Sequence, residues 1–204
     1  MVSEALVQYK KTAPNQAVKA QPYISWEAFK KKYLSREDGY KYEWLNGIVE
    51  KTKRTMDKMQ LYILRNLLEK MRTLQFNKQV DGELIPEGDL FFLDKHRRPD
   101  IAFLTNDQIE LAADDKLDTA PKFVIEVISN TDAINRVNKK MQNYRAAGVK
   151  VVWHIFPQDK EVQIYCGDNL DTVYIKRGDA ICSAEPVLPD FKLSVNDIFK
   201  RKNA

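Results

Sequence analysis

Two cysteines and two histidines in 204 residues leave little material for soft-metal or disulfide chemistry. Cys166 and Cys182 cannot make a disulfide framework and read as buried free thiols. His96 lies in a charged turn, KHRRP, and His154 lies inside an apolar run, VVWHIF. Neither has a close Cys or His neighbour, so nothing supports a zinc centre. Seven glycines and eight prolines are too few for a low-complexity or collagen-like chain. No GxxxxGK[ST], GxGxxG or GxSxG occurs, so a phosphate-cradling loop and a nucleophile elbow are both unsupported. No apolar stretch approaches the roughly 18 residues of a membrane helix. The opening MVSEALVQYKK lacks the apolar core of a secretory signal, so the cytoplasm is the expected location.

What remains is carboxylate chemistry with lysine support. The chain is 44% hydrophobic and 30% charged, a composition that excludes a wholly disordered protein. Its length fits one domain, expected over 21–204, with residues 1–20 read as a mobile arm. A net charge of +4 raises the case for a nucleic-acid partner only slightly.

SWEAFKKKYL (25–34) reads as a short helix capped by Ser25. YKYEWLNGIVEK (40–51) reads as a hairpin, because Asn46-Gly47 suits a turn with two positive φ angles. Residues 57–73 form an amphipathic helix with Leu61, Leu64, Leu68 and Met71 as its apolar stripe. Gln60 falls on that stripe, where an amide needs a partner. Short strands are expected near 79–85, 89–93 and 100–104, then a loop over 105–120, with a helical turn as an option within it. PKFVIEVIS (121–129), the helix 133–149 closed by Gly148, and VKVVWHIF (149–156) form a strand–helix–strand unit. Two nearly continuous apolar strands joined in this way imply a parallel crossover in a buried sheet. Further β segments and a final basic helix, VNDIFKRKN, complete the chain.

Glu126 interrupts the apolar run FVIEVI. Alternation puts it on one face with Val124 and Ile128, so a sheet covered on both sides buries a carboxylate. Such a charge needs a cation, a metal or a proton. Asp100 follows Arg97-Arg98-Pro99 and opens the strand IAFL. Adjacent strands lie about 4.8 Å apart, so both carboxylates can reach one hard cation. Lys140 stands at the edge of the stripe formed by Ile134, Val137, Met141 and Tyr144, from which it can reach back over the sheet. There it could stabilise charge developing on a phosphodiester. The competing readings are a structural ion pair for Glu126, a turn aspartate for Asp100 and a snorkelling surface lysine for Lys140. Lys95, Arg97, Arg98, Arg136 and Lys139 are candidates for tracking a nucleic-acid backbone, or else form a solvated surface.

RRPDIAFL, PKFVIEVIS and NKKMQNYRAAGVKVVWHIFP together resemble the Uma-type family of restriction endonuclease-like proteins, within the PD-(D/E)XK nuclease superfamily. The likeness runs from about Tyr23 to Phe199. It includes YEWLNGIVE, similar to the family's YELIDGE, and VLPDFKLSVNDIF, similar to its LPGF-like ending. The resemblance implies an α/β restriction endonuclease-like core. That core is a mixed β-sheet flanked by helices, with an N-terminal helix and hairpin and C-terminal β additions. It also implies a site for Mg²⁺ or Mn²⁺, DNA as substrate, and frequent homodimers. Asp100 matches the aspartate of the PD motif and Glu126 the glutamate of the next strand, both as metal ligands. The usual ExK lysine is replaced by Ile128, and Lys140 matches the family's lysine on the following helix. Glu43 matches the glutamate of the YELIDGE-like motif and is a site-lining candidate. Gln60, a second such candidate, stands where the family often has histidine, and Phe156 replaces a common aspartate. The expected activity is Mg²⁺-dependent cleavage of DNA through Asp100, Glu126 and Lys140. A weak or inactive module on the same fold, binding nucleic acid or protein, is the alternative.

Overall fold

The β-branched and aromatic run at 123–127 and its counterpart at 151–156 lie side by side at the centre of the molecule. In the computed structural model, which describes residues 22–53, 58–113, 120–130 and 132–202, they are β7 (Phe123–Val127) and β8 (Val151–Phe156). The arm expected at 1–20 lies outside the described residues. β7 and β8 pair in parallel, as their shared apolar character requires, and α4 (Ile134–Ala146) makes the crossover. Gly148, at φ 71°, closes α4. The Val149 amide donates to the Tyr144 carbonyl at 3.1 Å and the Gly148 amide to the Arg145 carbonyl at 3.0 Å. This is the Schellman pattern, which only a left-handed residue completes cheaply.

β3 (Glu83–Pro86), β6 (Ile101–Leu104), β9 (Glu161–Cys166) and β10 (Thr172–Arg177) extend the sheet to six strands, ordered β10-β9-β8-β7-β6-β3. All its pairings except β7–β8 are antiparallel. β1 (Tyr40–Leu45), β2 (Ile48–Lys53), β4 (Leu90–Phe92) and β5 (Lys95–Arg97) form a second sheet, ordered β2-β1-β5-β4. Its hairpin turns at Asn46 (φ 48°) and Gly47 (φ 91°), as the dipeptide predicts. β11 (Ile181–Ala184) and β12 (Leu188–Ser194) make a small ribbon, and α5 (Val195–Ile198) follows it.

One face of the main sheet carries Phe123, Ile125, Trp153 and Ile155 against α2 (Lys58–Phe76) and Phe191. The other carries Val124, Ala102 and Val152 against Met141 and Tyr144 of α4. Each fully buried side chain of this size contributes roughly 1.5–3 kcal/mol. A third cluster, Phe29, Tyr42 and Trp44, seats α1 (Trp26–Phe29) on the second sheet.

Several expectations need correction. The buried stripe of α2 is Ile63, Leu67, Met71 and Leu74, whereas Leu61 is 52% exposed. α1 continues as a π-helical turn, Lys30–Leu34. The helical turn allowed for within the 105–120 loop is a longer helix, α3 (Asn106–Ala113), and residues 114–119 lie outside the described residues. β5 was not foreseen, and the terminal helix is confined to four residues. The mixed α/β core with flanking helices, the N-terminal helix and hairpin and the C-terminal β ribbon are as expected.

Candidate active site

Alternation along β7 turns Glu126 to the α4 side of the sheet, together with Val124. Glu126 is buried there, 3% exposed. One helix turn apart on α4, Lys140 and Tyr144 both reach it. The Lys140 Nζ lies 2.9 Å from each carboxylate oxygen, and the Tyr144 hydroxyl donates to Oε1. Asp100 stands at the entrance to β6, the neighbour of β7. Its Oδ2 accepts the Val127 amide at 2.8 Å and its Oδ1 accepts from Lys41 Nζ at 2.8 Å. The aspartate is thus clamped to the strand that carries Glu126. Lys41 comes from β1, so the second sheet delivers a cation to the edge of the first.

A second layer supports this one. Glu43, two residues after Lys41 and on the same strand face, accepts the Arg98 amide at 2.8 Å and the Arg97 guanidinium at 3.0 Å. Arg97 also donates to Asn143 of α4 at 2.7 and 3.1 Å and to Glu50 of β2 at 3.2 Å. Arg97 is completely buried. The expectation that it tracks a nucleic-acid backbone is therefore wrong: its donors are turned inward, and they tie the hairpin to the helix that carries Lys140.

The two layers border a polar cleft of about 620 Å³. Asp100, Glu126, Lys140, Glu43 and Gln60 all line it. Of the five basic residues singled out in the sequence, Arg136 lines the cleft, held by Thr52 at 2.8 Å. Lys139 pairs with Glu50 at 2.5 Å, Lys95 bonds the Leu93 carbonyl at 2.9 Å, and Arg98 bonds the Glu87 carbonyl at 2.8 Å. These three lie off the cleft wall. Lys41, Lys51, Lys53 and His154 line it and were missed. Lys41 was legible in principle, since it alternates with Glu43 along one strand.

The charges in the cleft move one another. Burial pushes Asp100 up, but Lys41 and Lys140 outweigh it and hold the carboxyl below its ordinary range. Burial also pushes Glu126 up, and the charge of Asp100 adds to that, so even Lys140 leaves Glu126 above its ordinary value. Two carboxyls driven in opposite directions are typical of a site with divided roles. Burial opposes ionisation of Glu43, yet Lys140 and Arg97 bring it down to about 2. Lys140 stays protonated well above neutral pH: burial works against its charge, but Glu126, Glu43 and Asp100 more than compensate. His154 is drawn down to about 4, by burial first and Lys140 second, so its ring is neutral at neutral pH.

Among the described residues no cluster of three or more His, Cys, Asp or Glu side chains is arranged as a metal cage. A hard divalent cation does not require one. Mg²⁺ characteristically takes one or two carboxylates and completes its shell with water and phosphate oxygens. Asp100 and Glu126 fit that chemistry: both are oxygen donors on adjacent strands, and their mutual repulsion would be relieved by a divalent charge.

Residues 26–196 match a family, Uma2, whose description is "Putative restriction endonuclease". A crystal structure from Anabaena variabilis, described as that of a "putative nuclease", is similar in fold. It has a TM-score of 0.70 at 19% identity, covering 86% of this chain and 97% of that one. No curated protein matches the sequence.

Proposed function

The chain belongs to the Uma2 family, and from that membership we propose that it is a metal-dependent DNA endonuclease working in the cleft at Asp100 and Glu126. The observation that carries this reading is the pairing of two carboxylates on adjacent strands, backed by a lysine from the crossover helix, at the wall of an open cleft. Asp100 and Glu126 would hold Mg²⁺ or Mn²⁺, which when bound supplies Lewis-acid stabilisation of phosphoryl charge. Lys140 adds a fixed positive charge at the same place, where it can stabilise a phosphate in the transition state. Lys41 and the Val127 amide orient Asp100. Lys51, Lys53 and Arg136 ring the cleft and suit contact with a phosphodiester backbone. A single domain, action as a homodimer and a cytoplasmic setting belong to the same reading.

The test is cleavage of supercoiled plasmid with Mg²⁺ or Mn²⁺, with chelator controls. Wild type should nick the plasmid only with metal. Glu126→Gln should lower the rate at least about a hundredfold, the scale typical of a lost electrostatic group, while its circular dichroism stays native. Undiminished cleavage by that variant would sink the assignment. A second reading, a binding module without turnover, is favoured by one observation: both Glu126 oxygens are already held by Lys140. It predicts salt-sensitive DNA binding and no metal-dependent nicking.

A further inference from the structure

His154 lines the cleft but has no part in the mechanism above. It sits on β8 directly beside Glu126 in the parallel register, on the face covered by α4. Its ring is 3% exposed and packs 4.8 Å from that of Tyr165, yet it forms part of the cleft wall. No hydrogen bond joins either ring nitrogen to another described residue, yet neither is an enclosed atom left without a partner: among the described residues the only such side-chain atom is Nδ1 of His96, and the His154 ring opens on the cleft. A polar ring inside an otherwise apolar strand calls for an explanation. Two ordinary ones fail here. The ring is not a counter-ion, because no carboxylate of the described residues is bonded to it. It is not an inert core side chain either, because it forms part of the wall of the open cleft.

The neighbouring carboxylates differ from it in this respect. Glu126 is engaged by Lys140 and Tyr144, Asp100 by Lys41 and the Val127 amide, and Glu43 by Arg97 and the Arg98 amide. His154 alone among these keeps its hydrogen-bonding capacity uncommitted. It does so on the wall that also carries Lys140, in a cleft lined by five basic and five acidic side chains.

We propose that His154 is a further substrate-contacting residue, whose ring N–H donates a hydrogen bond to a phosphate oxygen of the bound phosphodiester. The inference rests on the nuclease reading of the same cleft and adds to it a ring N–H donor on the wall that carries Lys140. Such a donor complements a lysine because it binds the oxygen directionally.

The test uses the whole untagged chain, whose two histidines give a simple imidazole NMR spectrum. His96 is an internal control, since its ring bonds Asp89 at 2.9 Å and lies among Trp26 and Phe29, in the cluster under α1. The thymidine dinucleotide dTpdT is titrated in with and without Mg²⁺, and imidazole nitrogen and backbone amide signals are followed together. The proposal expects the His154 ring signals to move while those of His96 stay. It also expects His154→Phe, which keeps a flat ring, to bind dTpdT about tenfold more weakly, the effect of one lost hydrogen bond, and His154→Gln to recover much of that loss. Shifts at Val127 and Ile128 without a response from the His154 ring would overturn this proposal and leave the nuclease reading standing. No shift anywhere in the cleft would overturn both. The wild-type spectrum decides the matter even if the variants fold poorly.

Discussion

Arg97 was read from the sequence as a surface cation, yet among the described residues no side chain is more completely enclosed. The run KHRRP offered no way to tell which of its basic residues turns inward, because that depends on where a hairpin about 50 residues earlier docks. The enclosed guanidinium satisfies Glu43, Glu50 and Asn143 together, so removing it strands a buried carboxylate. Arg97→Met should therefore cost about 3–5 kcal/mol in urea denaturation. A loss under about 1 kcal/mol would show that Glu43 finds another partner. Glu126 and Lys140 were legible for the opposite reason: their anomaly is local, a charge inside an apolar strand run and one at the edge of an apolar helix stripe. Asp100 was legible only beside Glu126 and through its match to the PD motif. His154 was not legible, because a histidine in an apolar strand looks like core until it is known which end of the strand opens to a cleft.

At the scale of elements, α2 shows how periodicity succeeds and then slips. The helix was evident, but two overlapping stripes of leucines competed, and the one chosen lay a fraction of a turn away from the true interface. The sheet decides between them: Leu67 meets the core and Leu61 faces solvent. Leu67→Ala should cost about 2–5 kcal/mol, while Leu61→Ala should change the thermal midpoint very little, both read by calorimetry. Equal effects would restore the original stripe. The central strands and crossover helix were readable almost to the residue, because two apolar runs and a positive-φ glycine leave few alternatives. The short strand β5 was not, since its three residues, KHR, carry no apolar alternation.

Across the whole molecule, the buried charges set how the fold responds to acid. Glu43 has its pKa lowered from 4.5 to about 2 on folding. Its contribution is therefore present in full above the unfolded value and disappears as the pH falls through the folded one. That amounts to something on the order of 3 kcal/mol lost between about pH 5 and pH 2. Asp100, also lowered, acts in the same direction, whereas Glu126, raised, acts in the opposite one. Urea midpoints measured down this range should fall steeply for wild type and more shallowly for Glu43→Gln. A parallel decline in both would assign the acid sensitivity elsewhere.

Lys140 lies fourteen residues beyond Glu126, at the far side of a strand end, a turn and the first half of α4. Ile128, two residues beyond, occupies the place where an adjacent lysine would stand on the strand itself. What the chain preserves is a point in space, and a helix anchored between two parallel strands acts as a ruler that returns an ammonium to that point. Drift in the residues between the two ends is then inexpensive, provided the face against the sheet stays apolar. A single insertion or deletion within the first turns of α4 is not, since one added residue swings the lysine through about 100° and away from the carboxylate. Across related chains, this segment should vary in composition and hold its length.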